Sequence, residues 1–107
     1  MGLIDKYDGF DWDEGNRGKN FLGHGVTDEE IEEAYSNDPY FQYKDTKHSE
    51  GEERWVAMAQ TDRGGPLFMV HTIRNNKIRP ISAWPMGSED RGEFYEKVAE
   101  ARATRAS

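Results

Sequence analysis

Cysteine does not occur anywhere in the chain, which excludes a disulfide framework and all thiol chemistry. No stretch approaches the run of about 18 apolar residues that a membrane span needs. The opening MGLIDKYDGF also lacks the basic and apolar regions of a signal peptide. A cytoplasmic protein that does not engage the membrane is therefore expected. There is no nucleophile elbow, no Walker loop and no GxGxxG; Gly64-Gly65 reads as a hairpin turn, not a phosphate cradle. His24, His48 and His71 are too widely spaced for any common metal motif, so neither a metal nor another cofactor is expected.

Apolar material is scarce as well. Hydrophobic residues make up 35% of the 107 positions and charged residues 33%, which leaves a modest core. Thirteen Phe, Trp and Tyr residues partly compensate, because each buries a large area. The length suits one domain, expected over residues 9–103, with flexible termini at 1–8 and 104–107.

The formal net charge of −7 argues against a general nucleic-acid binder, and direct DNA binding is not expected. The charge is unevenly spread, however. Residues 1–53 hold 15 acids and 5 bases, whereas residues 54–107 hold 6 acids and 9 bases. The basic half leaves three roles open: a local anion site, a dock for an acidic partner, or internal pairing with the acidic half.

What is present begins with one strong helix signal. In VTDEEI, Thr27 fits an N-cap, Glu30 closes a capping box, and Val26 with Ile31 forms a hydrophobic staple. Ile31, Ala34 and Tyr35 give the apolar stripe, and Asn37-Asp38-Pro39 stops the helix. A weaker helix is predicted over Asp13–His24, capped by Asp13, with Phe21 and Leu22 facing the core and Gly25 at its C-terminal end. After Pro39 the period becomes strand-like: Tyr40–Tyr43, Arg54–Thr61, Leu67–Ile73 and Lys77–Ala83. Asn75-Asn76 suits a two-residue hairpin turn, and Pro80 marks the last strand as an edge or a bulge. Ser88–Ala103 closes the chain as a helix with Phe94, Tyr95, Val98 and Ala101 on one stripe. The predicted class is α+β: two N-terminal helices, a three- to four-stranded antiparallel meander and a C-terminal helix.

The polar residues offer one chemical constellation. Arg54, Arg74, Lys77 and Arg79, with His48, Glu52 and Glu53, come from adjacent strands and their ends. Such a set suits metal-independent RNA cleavage, in which a base takes the 2′-OH proton, an acid protonates the leaving 5′ oxygen and arginines hold the pentacovalent phosphate. The same residues are equally a set of surface ion pairs, each worth about 0–1 kcal/mol. His24 at a helix end suits the dipole there, and His71 in mid-strand suits a satisfied, half-buried role.

The order of motifs resembles a known family, the BrnT toxins of bacterial type II toxin–antitoxin systems, small ribonucleases of RelE-like fold. The resemblance rests on Phe10-Asp11-Trp12-Asp13, Asn20, His24-Gly25-Val26, Glu33-Ala34 and Asp38-Pro39. It continues through His48-Ser49-Glu50-Gly51-Glu52-Glu53-Arg54, His71-Thr72-Ile73-Arg74, Ile78-Arg79-Pro80-Ile81-Ser82-Ala83, and a last helix with Glu93 and Tyr95. It implies an RNA-cleaving toxin that slows translation, neutralised by a BrnA-type ribbon-helix-helix antitoxin. On that reading His48, Glu53, Arg54 and Arg79 are the catalytic candidates, with Arg54 and Arg79 on phosphate and His48 or Glu53 moving protons. Arg74, Lys77, Ser82 and Trp84 are the RNA-binding candidates. The chain departs from the family pattern at three places: Gly23 replaces a basic residue, Trp84-Pro85-Met86 replaces an arginine and its followers, and Pro80 replaces an aliphatic residue. Trp84 either stacks on a base or packs under the last helix. With two family charges lost, a non-catalytic interaction module on the same scaffold is the alternative, its acidic helix and sheet binding a protein.

Overall fold

The computed structural model describes residues 1–48 and 51–106; Ser49 and Glu50 of the family motif, and Ser107, lie outside the described residues. The elements follow the chain as α1 (Lys19–His24), α2 (Asp28–Ser36), β1 (Phe41–Lys44), β2 (Trp55–Gln60), β3 (Pro66–Arg74), β4 (Lys77–Pro85) and α3 (Ser88–Ala106), after a 3₁₀ turn at Leu3–Lys6. The strands form one antiparallel meander in the order β1-β2-β3-β4, as expected from the run of hairpin signals. No helix among the described residues is long and apolar enough to cross a membrane.

Alternation along the strands divides the sheet into two faces. Ala57, Ala59, Leu67, Met69, Ile78 and Ala83 point to a core shared with Val26, Ile31, Ala34 and Tyr35 around α2. On the other face Met58 joins Met86, and Phe94 and Val98 of α3 cover them, with Phe41 and Phe68 alongside. The capping box of α2 is complete: Thr27 accepts from the Glu30 N–H at 3.1 Å, and Glu30 accepts from the Thr27 N–H at 3.0 Å. Asn75 and Asn76 both adopt positive φ, 52° and 60°, closing the β3–β4 hairpin as their pairing suggested.

Pro80 lies on an edge strand and beside a bulge, so both expectations hold together. Val70 pairs with Ser82 and His71 with Pro80, which leaves Ile81 as the extra residue. The outer edge of β4 is then closed by the N-terminal segment. Phe10 bridges Ile78 in parallel, and the Asp11 N–H donates to the Ile78 carbonyl at 2.8 Å. Asn16 donates from Nδ2 to the carbonyls of Asp11 and Pro80 at 2.9 and 3.0 Å, and Asn20 Oδ1 accepts from the Ala83 N–H at 3.0 Å.

Three local expectations are corrected. The first helix is only six residues long, because Asp13–Gly18 is a run of turns ending at Gly18 with φ 72°. Asp13 does not cap a helix, its carboxylate being turned toward Arg79. Phe21 and Leu22 stand 57% and 88% exposed, and Asn20 is the residue of α1 that is buried. Residues 1–8, read as a terminus without structure, contain the 3₁₀ turn, and its Leu3 is fully buried in the α2 core. At the far end of the chain Tyr95 is 47% exposed, so the apolar stripe of α3 is narrower than predicted. Asn16→Ala is expected to lower stability by about 1–3 kcal/mol, because it strands the buried carbonyl of Pro80 and the part-buried one of Asp11. A urea unfolding series that places the variant's midpoint with the wild type's would contradict this.

Candidate functional site

The face of the sheet away from α2 carries an open cleft of about 600 Å³ beside α3. Its floor is Val56 of β2 and Phe68 and Val70 of β3; Tyr43 of β1 and Trp84 of β4 stand at its two sides. The polar rim comes from the β1–β2 loop with Lys44, Asp45, Lys47 and His48, from Arg54 at the foot of β2 and from Ser82 on β4. The placement follows from period 2: Val56, Val70 and Ser82 lie side by side through the pairs Val56↔Val70 and Val70↔Ser82. Phe68 pairs with Trp84 in the next row, their rings stacked at 4.9 Å and 23°. His24, at the end of α1, approaches the indole from the edge of the sheet at 5.9 Å. Trp84 therefore lines open space and does not pack into the cluster under α3.

Of the eight candidates, the cleft gathers four: His48, Arg54, Ser82 and Trp84. His48 places Nδ1 3.0 Å from the Asp45 carboxylate, a partner in its own loop that can fix the ring's orientation. The other four lie outside it. Glu53 turns to Lys44, with Nζ donating at 3.0 Å. Arg74 grips Glu52 with two donors at 2.7 and 3.1 Å. Arg79 is only 12% exposed and donates from both terminal nitrogens to Asp13 at 3.0 Å, with Asp11 at 3.5 Å. Lys77 is exposed at the hairpin turn, opposite Arg74.

The electrostatics tie these groups into one neighbourhood. The hydrogen bond from Arg74 holds the Glu52 carboxyl below its ordinary range, and the charges of Arg74, Arg79 and Arg54 act in the same direction. Asp13 is likewise held low, first by the Arg79 hydrogen bond and then by the N–H of Gly15. Burial, with the acids Asp45, Asp90 and Glu93 nearby, raises the Tyr43 phenol, so it stays neutral and able to donate. Among the described residues no group of three or more His, Asp or Glu side chains is placed to hold a metal ion. Sequence reasoning passed over Tyr43, Lys44, Lys47 and the apolar floor. The signal for the two lysines was present in KDTKH, where they flank the loop that carries His48. The acids that follow it, Glu50, Glu52 and Glu53, outweighed them on composition.

The fold and cleft together define a small α+β domain with an aromatic-walled groove whose rim carries lysines, an arginine, a histidine and an aspartate. The family model described as "Ribonuclease toxin, BrnT, of type II toxin-antitoxin system" matches residues 12–90, about three-quarters of the chain. The chain belongs to this family of ribonuclease toxins, which act with an antitoxin partner. A search of curated proteins finds no match.

His71 lies on the opposite side of the sheet from this cleft, wholly buried, and takes no part in it. Its Nδ1 meets the Tyr35 hydroxyl at 2.9 Å, in a T-shaped ring contact at 5.3 Å, while Nε2 has no partner among the described residues. Burial lowers the imidazole from its ordinary 6.5 to about 4, and it raises the Tyr35 phenol well above its usual value. Between those two pH values the unfolded chain binds a proton at His71 that the folded chain refuses. Its contribution is thus complete above about pH 6.5 and is lost as the pH falls to 4, a change of about 3 kcal/mol. In His71→Gln, urea midpoints measured between pH 4 and 6.5 should follow a flatter curve; an unchanged slope would assign the acid sensitivity to other groups.

Proposed function

We propose that the protein is a metal-independent endoribonuclease toxin of RelE-like fold that cuts RNA and thereby slows translation. The observation that carries this reading is the meeting of His48, Arg54, Ser82 and Trp84, with Lys44 and Lys47, in one cleft of a chain that is otherwise acidic. The RNA backbone lies along the rim. His48, oriented by Asp45, takes the proton from a ribose 2′-OH, and the 2′ oxygen attacks the adjacent phosphorus. The bond to the 5′ oxygen breaks, and protonation of that oxygen releases a 5′-hydroxyl strand and a 2′,3′-cyclic phosphate. Arg54 neutralises the charge that builds on the phosphoryl oxygens, and Ser82 donates to them from β4. Glu53, paired with Lys44 at 3.0 Å, is the second candidate for proton transfer. Arg74, Lys77 and Arg79 lie beyond the cleft, where RNA phosphate takes the place of the carboxylates on Arg74 and Arg79: Arg79 completes phosphate binding and the other two position RNA.

The antitoxin is proposed to be a BrnA-type ribbon-helix-helix protein that covers this same face. The toxin itself makes no direct DNA contact and works in the cytoplasm. A second reading, a non-catalytic interaction module, is favoured by the carboxylate partners already seated on Arg74 and Arg79.

Expression without an antitoxin separates the two. The ribonuclease reading expects arrested growth, degraded total RNA and cleavage in vitro that persists in EDTA. Arg54→Ala should cut the cleavage rate by about 100-fold. Harmless expression with intact RNA would support the interaction module, and full activity of Arg54→Ala would remove that arginine from the mechanism.

A further inference from the structure

The cleft has more apolar wall than phosphate binding alone requires. Val56, Val70 and Phe68 make the floor, and β1 and β4 place an aromatic ring at each side, Tyr43 and Trp84. Trp84 is braced from two directions, by Phe68 stacked at 4.9 Å and by His24 at 5.9 Å, so its indole is held in place before anything binds. The cations stand only at the rim: Lys44, Lys47 and Arg54. Among the described residues Lys47 has no ion pair, whereas Lys44 is paired with Glu53.

From this we infer that the cleft is a nucleobase subsite selective for single-stranded RNA. One unstacked base lies on the Val56–Phe68–Val70 floor against Trp84, and its flanking phosphates fall to Lys47 and Arg54. A duplex keeps its base faces covered by their neighbours, so only a single strand can present a base to such a floor. The inference rests on the proposed RNA-directed reading, but it concerns binding and not cleavage.

The test uses the full chain with an unstructured, 2′-O-methylated RNA of about ten nucleotides, which cannot be cut through its 2′ oxygen, and the same sequence as a duplex. Tryptophan fluorescence should fall on addition of the single strand, and the change should vanish in Trp84→Phe, which leaves Trp12 and Trp55 in place. Trp84→Ala should weaken binding roughly 5- to 100-fold without altering the salt dependence. Lys47→Ala should lower the slope of log affinity against log salt by about 0.7. Equal affinity for the duplex, quenching that survives in Trp84→Phe, or wild-type affinity in Trp84→Ala would each overturn the base subsite. Trp84→Phe keeps a ring on Phe68, so its result stands even if the alanine variant fails to fold. Cleavage of unmodified RNA is scored in parallel. Uncut RNA with the fluorescence arms as expected overturns the ribonuclease reading alone; cut RNA with a silent Trp84 overturns the base subsite alone; failure to bind either RNA overturns both.

Discussion

Two buried asparagines hold the two ends of the chain together, and the site depends on them. Asn16 ties the Asp11–Asp13 segment to the carbonyl of Pro80, and Asn20 caps the N–H of Ala83, both along the outer edge of β4. An edge strand presents unpaired donors and acceptors, and here they are met by side-chain amides and by a parallel bridge at Ile78. Once that segment is in place, α1 must run past the end of β4, which brings His24 to Trp84. The same segment sets Asp11 and Asp13 over Arg79. One wall of the cleft and the state of one arginine therefore follow from the same pair of amides.

Charge is sorted on a finer scale than the net value of −7 conveys. Arg74 and Arg79 each meet a carboxylate with two donors, the geometry that suits a guanidinium. Arg79 holds its partner in a half-closed setting, and the arrangement fixes its planar head. Lys47, on a loop and without an ion pair among the described residues, keeps its charge facing the cleft. The acidic half of the chain thus balances Arg74 and Arg79, while Lys44, Lys47 and Arg54 stand with Asp45 around the apolar floor.

Much of the fold was legible because its signals are local. Thr27 and Glu30 are three residues apart, Asn75 and Asn76 are neighbours, and strand alternation repeats every second residue, so each can be read in a short window. The misread parts depend on partners distant in sequence. Asp13 looked like a helix cap because Arg79 is 66 residues distant, and Phe21 with Leu22 looked like the buried face of α1 because the Ala83 that Asn20 meets is 63 away. Leu3 gave no sign of burial, since nothing beside it in sequence belongs to the α2 core it enters. In the cleft, His48, Arg54 and Ser82 were legible through the family pattern, and Trp84 as a departure from it. The floor residues were not, because Val56 and Val70 look like any strand valine until the register sets them side by side.

The closure of β4 also bears on how the chain reaches its folded form. Residues near position 16 must meet residues near position 80, so a loop of more than 60 residues closes before either asparagine is satisfied. The entropy of that closure rises only slowly with length, but contacts of this range set the pace of folding. On the ribosome the N-terminal segment emerges first and has no edge to close until the final hairpin follows it. The cleft lining runs from Tyr43 to Trp84, whereas the His24 that braces Trp84 comes from the N-terminal segment, so a chain cut between α1 and β1 keeps the lining on one piece and separates it from that brace.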